Sequence, residues 1–125
     1  MKLWFPNFRI ALLSFGLLLG GSALAAGCGG DDNLPVVDCS AQVPTFTEVS
    51  LLSQTCVGCH DSTLSGADRG GAPADINFDQ FDSAKANAEA AVSAVYAGSM
   101  PPGGANLPAD MKQQLYSWGL CGTPQ

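Results

Sequence analysis

The sequence predicts an all-α domain of about three short helices, and three stretches of the chain carry that expectation. A capping box, Thr45-Phe46-Thr47-Glu48, stands just after Pro44 and opens a run in which Phe46, Val49, Leu52 and Cys56 recur at helical spacing. An alanine-rich stretch from Ser83 to Ala97 presents Ala84, Ala88, Ala91, Val92 and Val95 as a narrow apolar stripe. Asp82 or Ser83 serves as its cap and Gly98 as its stop. A third run opens near Pro108, which suits a first turn, and aligns Met111, Leu115 and Trp118 before Gly119, read as its terminator.

The first helix runs into Cys56-Val57-Gly58-Cys59-His60. Two thiols three positions apart, followed at once by an imidazole, form the attachment signature of c-type haem. One turn of helix puts residues i and i+3 on the same face, so Cys56 and Cys59 can each add to one haem vinyl group. Gly58 leaves room for the porphyrin edge, and His60 can supply the proximal nitrogen to iron. A structural zinc site would need a second ligand pair at similar spacing, and His60 is the only histidine in the chain. A thioredoxin-like redox pair would need a surrounding βαβ pattern, which this Ala/Gly-rich sequence lacks.

From Asp61 to Asp75 the chain is rich in Ser, Gly, Ala and Asp, broken by Gly70-Gly71 and Pro73, and reads as a loop along one haem edge. A backbone carbonyl near Ala72-Pro73 is the candidate acceptor for the second N–H of His60. Arg69 is either a partner for a haem propionate or a solvated surface arginine. Phe78 and Phe81 read as pocket or core packing. After the second helix comes Ser99-Met100-Pro101-Pro102-Gly103-Gly104, a methionine in a stiff loop 40 residues beyond His60. Met100 is the candidate sixth ligand to the iron, whereas Met111 lies in a helical pattern and reads as core. The last helix is expected to cross the first and close the pocket.

The start of the chain reads as an export signal. Lys2 and Arg9 precede an apolar run from Ile10 to Leu24, shorter than the roughly 20 residues a membrane-spanning helix needs. Leu24-Ala25-Ala26-Gly27-Cys28 resembles the lipobox of bacterial lipoproteins, in which the signal is cut before a lipid-modified cysteine. On that reading residues 1–27 are a lipoprotein signal peptide, residues 28–38 a lipidated tether rich in Gly and Asp, and residues 39–125 the domain. The alternative for Cys28 is a free cysteine after an ordinary signal. With one cysteine given to lipid and two to haem, Cys39 and Cys121 remain, and in an oxidising compartment a leftover pair reads as a disulfide or else as two buried thiols. After Cys28 the chain carries eleven acidic and three basic residues, a net charge of −8. That balance excludes a nucleic-acid binder and favours redox partner proteins with basic docking surfaces.

Taken together, the helix ending in Cys56-Val57-Gly58-Cys59-His60, the later Met100-Pro101-Pro102-Gly103 and a closing helix with Trp118 resemble a class I cytochrome c domain. The resemblance covers roughly residues 39–125, and Trp118 to Gly122 is similar to the Trp-x-x-Cys-Gly ending of small bacterial lipoprotein cytochromes. The His-to-Met interval is on the short side for that family. The resemblance implies a bundle around one covalent haem c, with His60 and Met100 as axial ligands and one-electron transfer as the activity.

The expected protein is therefore an exported lipoprotein on the periplasmic side of a bacterial membrane, carrying single electrons and catalysing nothing itself. No nucleophile or catalytic base constellation is visible. Two alternatives stand beside it: a haem-based sensor or peroxidase-like protein with an open sixth iron site, and a haem subunit of a larger redox complex.

Overall fold

The computed structural model describes residues 34–103 and 105–125. The signal peptide, Cys28 and the first part of the tether lie outside the described residues, as does Gly104. Among the described residues the fold is all-α, without strands: α1 (Ser50–Gln54), α2 (Phe81–Ala86), α3 (Ala88–Tyr96) and α4 (Ala109–Leu120). Short 3-10 turns at Phe46–Glu48, Cys56–Gly58 and Gly66–Arg69 complete the regular structure. No described helix is long and apolar enough to cross a membrane.

The capping box forms, but it opens a 3-10 turn before α1 starts. The Glu48 carboxylate accepts from the Thr45 amide at 2.8 Å and from its hydroxyl at 2.9 Å. These bonds, the backbone one foremost, hold the Glu48 carboxyl below its ordinary range. The start of α1 is capped from a distance in sequence: Gln114 Oε1 on α4 accepts from the Ser50 amide at 3.1 Å and its hydroxyl at 2.7 Å.

The alanine-rich stretch is two helices rather than one. Asn87, at φ −110° and ψ 11°, separates α2 from α3. Its side-chain amide donates to the Ser83 carbonyl at 2.8 Å, so the side chain competes with the backbone for a helix acceptor. Ser83 does not cap a helix here. Its hydroxyl accepts the Asn77 amide proton at 2.8 Å and donates to the Asp75 carbonyl at 3.3 Å, tying the preceding loop to α2.

Helix α4 packs against both α3 and α1. Its Leu115 and Trp118 are wholly buried, in one cluster with Val49, Leu51, Leu52, Phe78, Ala84, Ala88 and Val92. Each large apolar side chain removed from water there contributes on the order of 2 kcal/mol. Gly119 is not the terminator of α4 but an interior residue. A Cβ at Gly119 would lie 2.6 Å from Val92 Cγ2 and 3.3 Å from the Ala88 carbonyl oxygen, so glycine there sets how closely α4 and α3 approach. The helix ends one residue later at Leu120; Gly122 then turns the chain at φ +98°, and the Thr123 amide donates to the Trp118 carbonyl at 3.0 Å.

The carboxy-terminal tail closes the structure. The Pro124 carbonyl accepts from Trp118 Nε1 at 2.9 Å and from the Phe46 amide at 2.9 Å. Phe46 in turn meets the Phe81 ring edge-on at 5.6 Å and the Trp118 ring at 6.0 Å. Cys39 and Cys121 are joined in a disulfide, 82 residues apart in sequence with Cα atoms 5.3 Å apart. Leu34 and Val37, within the stretch read as tether, pack against the core.

Two measurements check this packing. Gly119→Ala gains about 1 kcal/mol of helix propensity but forces a methyl onto the stiff, buried Val92, and overpacking of this kind costs about 1–3 kcal/mol. The net expectation is a lower melting temperature by circular dichroism; an unchanged or raised one would show that α3 and α4 can part freely. Replacing both Cys39 and Cys121 by Ser removes a long loop constraint, and the denaturant midpoint should fall by the equivalent of about 2–4 kcal/mol.

Candidate functional site

Helix α1 does not itself carry the two thiols of the motif. It ends at Thr55 (φ −120°, ψ −54°), and the chain tightens into the 3-10 turn Cys56–Gly58. The Cys59 amide donates to the Cys56 carbonyl at 3.2 Å and the His60 amide to the same oxygen at 2.9 Å. Cys59 follows the turn at φ −129°, ψ −24°, and both Cys56 and Cys59 border the same cleft. Both are free thiols, half-buried. Burial pushes the Cys56 thiol up to about 11, so at neutral pH it is protonated and a poor nucleophile for disulfide exchange. Among the described residues no three His, Cys, Asp or Glu side chains gather in one place.

The imidazole of His60 is held from two sides. Its Nδ1 lies 3.2 Å from the Ile76 carbonyl oxygen, and because a carbonyl only accepts, that contact puts the proton on Nδ1 and leaves the lone pair on Nε2. The Phe78 ring meets the imidazole edge-on at 5.1 Å, and the Phe78 amide donates to the His60 carbonyl at 2.7 Å. The acceptor expected near Ala72-Pro73 is thus Ile76 instead. The Ala72 and Pro73 carbonyls are engaged by Arg69, at 3.2 Å from Nε and 2.6 Å from Nη2.

Arg69 is neither solvated nor reaching outward; it is 4% exposed. Besides Ala72 and Pro73 it donates to the carbonyls of Asp61 (2.7 Å), Leu64 (3.5 Å) and Ile76 (2.9 Å) and to Asn77 Oδ1 (3.1 Å). The loop after His60 therefore folds around one guanidinium. A second tie comes from Asp79, whose carboxylate accepts from the Ser62 amide at 2.8 Å, the Ser62 hydroxyl at 2.6 Å and the Gln80 side-chain amide at 2.8 Å. Gly70 presses the loop onto the motif: with φ +58°, a Cβ there would sit 3.2 Å from Cys59 Sγ.

The facing wall is α3 together with the segment after its end. Ala90, Ala91, Ala94 and Val95 line it with small side chains, and Asn87 sits at its start. Helix α3 ends in a Schellman arrangement, with Gly98 at φ +73°, its amide donating to Val95 at 3.2 Å and the Ser99 amide to Ala94 at 2.9 Å. The Met100 amide also donates to the Ala94 carbonyl, at 3.2 Å, so the helix terminus fixes where the methionine begins. Met100, Pro101 and Pro102 border the same cleft as Cys56, Cys59 and His60. Met100 remains 39% exposed.

The cleft between these walls has a volume of about 370 Å³, within the roughly 300–1,000 Å³ usual for small-molecule and cofactor sites. Helix α4 lines none of it: it supports α1 and α3 from behind rather than closing the pocket. Phe78 borders the cleft, whereas Phe81 packs outside it on Phe46. Sequence reasoning missed Arg69 as the organiser of the loop, Ile76 as the acceptor for His60, and Asn87 and Leu107 as cleft residues. The only signal for Arg69 was a lone cation beside Gly70-Gly71.

The donor set fits a covalently attached haem: two free thiols, an imidazole with Nε2 left free of hydrogen-bond partners among the described residues and the Met100 thioether border one mainly apolar cleft. Acid weakens this arrangement in a definite direction. Burial opposes ionisation of Asp79, yet its hydrogen bonds from Ser62 and Gln80 hold it below the ordinary aspartate range. A depressed carboxylate contributes stability that is complete above its unfolded value and is lost as pH falls through its folded value. Unfolding midpoints should therefore stay level through neutral pH and fall below about pH 4, and Asp79→Asn should flatten that acid limb. Compared with known protein families, curated proteins and solved structures, the chain matches none, so motif and cleft geometry carry the functional argument.

Proposed function

We propose that this chain is a membrane-tethered, single-haem c-type cytochrome that carries electrons one at a time between redox partners. The observation that carries the reading is the meeting of Cys56, Cys59, His60 and Met100 around one apolar cleft. Bound there, the haem supplies a ferric/ferrous couple that takes one electron from a donor protein and gives it to an acceptor, with no other bond made or broken. Cys56 and Cys59 tether the ring by thioether links. His60 offers Nε2 with its ring plane set by Ile76 and Phe78. Met100 would supply a thioether to the iron, and the small residues of α3 that line the cleft would leave room for the ring. The class I cytochrome c fold, export, lipidation at Cys28 and docking to basic partners belong to the same proposal. The net charge of −8 after Cys28 supports the last of these.

The half-exposure of Met100 favours a second reading, a haem protein whose sixth site opens to a small ligand. Ferric spectra decide between them. The carrier gives a low-spin spectrum with a methionine–iron charge-transfer band that Met100→Ala abolishes, leaving a high-spin form; a wild-type protein already high-spin and quick to bind cyanide supports the open site.

Mass spectrometry of the mature exported protein tests the proposal as a whole. The expected result is one haem added covalently, loss of residues 1–27 and acyl chains on Cys28. Pigment that washes out in acidified organic solvent would overturn the covalent attachment.

A further inference from the structure

We infer that Arg69 is a positioning residue for the proposed haem ligand, setting the electron-donating strength of His60 through the carbonyl of Ile76 that the two side chains share. The inference rests on the haem reading above. Ile76 oxygen accepts from His60 Nδ1 at 3.2 Å and from Arg69 Nη2 at 2.9 Å. A carbonyl oxygen has two lone pairs, so it can serve both donors, but the bond to a charged donor is the stronger. The shorter contact goes to the guanidinium, and the longer one to the imidazole.

The environment of Arg69 makes this more than a loop staple. Among the described residues its six hydrogen bonds go to carbonyl or amide oxygens, and none to a carboxylate. At 4% exposure its positive charge is screened by little water. A hydrogen bond from Nδ1 to a good acceptor makes an imidazole a stronger donor at Nε2 and favours the higher oxidation state of a bound metal. Here the acceptor is already polarised by a cation and a net positive charge stands beside the ring, and both effects favour ferrous over ferric iron. Without Arg69 the Ile76 carbonyl belongs to His60 alone.

The test uses the mature haem-loaded protein, with spectroelectrochemical titration and ¹⁵N NMR of the ferrous form. His60 is the only histidine, so its ring nitrogens give one unambiguous pair of signals. Arg69→Gln should lower the reduction potential and move the Nδ1–H proton signal downfield as its bond to Ile76 strengthens. Arg69→Lys, which keeps a charge near the same carbonyls, should stay closer to wild type in both. Asn77→Asp leaves Arg69 in place but sets a carboxylate where Oδ1 now stands, 3.1 Å from Nη1; it too should lower the potential, and it serves if neither Arg69 variant matures. A purely structural Arg69 would leave the Nδ1–H signal of Asn77→Asp at its wild-type value, whatever the new carboxylate does to the potential by its own charge, and that result overturns the inference while the haem reading stands. Wild-type protein without covalent haem overturns both.

Discussion

The structure depends on one buried cation that satisfies a stretch of chain with almost no regular structure of its own. Between the motif and α2 the backbone has only the 3-10 turn Gly66–Arg69, yet it forms a wall of the cleft and cannot leave its carbonyls without partners. Arg69 answers this from inside the loop, drawing oxygens spread over residues 61–77 onto a single planar group. That arrangement fixes the position of Ile76, and through Ile76 the orientation of His60. No buried side-chain polar atom among the described residues is left unpaired, so the loop is as well determined as the helices.

The helices solve a different problem, which is size. A domain of this length buries too small a share of its surface to be secure on packing alone, and the cleft withholds apolar surface that would otherwise join the core. The compensation is concentrated in α4, which has no part in the cleft. Trp118 and Leu115 anchor it, Gly119 brings it close to α3, Gln114 caps α1, and the chain beyond it bonds to Phe46 and to Cys39. Helices α1 and α3 serve both scaffold and site, with Leu51 and Val95 shared between core and cleft lining, and α4 lets the site keep an apolar slot without unravelling.

How much of this was legible in the sequence depends on the range of each interaction. The capping box at 45–48 and the Gly98 stop are local, and each forms where the residues said it would, whereas residues 56–58 form a 3-10 turn beyond α1 instead of its last helical turn. The Cys39–Cys121 pairing came from counting, because the other cysteines had uses. What failed was anything decided by a partner that residue type and spacing alone do not name. Gly119 looked like a terminator because glycine ends helices, but Val92 and Ala88 use it as a contact. Asn87 sat unnoticed among alanines until its side chain claimed the Ser83 carbonyl and split the helix. Arg69 had only outward-looking roles on offer, since nothing in a sequence shows a loop wrapping around its own arginine. Ile76 was missed as an acceptor for the same reason, its role being a backbone one.

The asymmetry of the two proposed iron ligands has the same physical origin. His60 is fixed by contacts on three sides: a ring nitrogen to Ile76, an aromatic edge from Phe78, and its own carbonyl to the Phe78 amide. Met100 is fixed only at its backbone, through the helix end at Ala94, and its side chain stays partly in solvent. An electron carrier benefits from that difference. The side held by His60 needs rigidity, because small changes at that nitrogen alter the energy of the couple, whereas the side bearing Met100 needs only a neutral, polarisable cap that excludes other ligands. On the proposed carrier reading, a stiff wall at His60 and a lightly tethered cap at Met100 are what one-electron transfer asks of its two ligands.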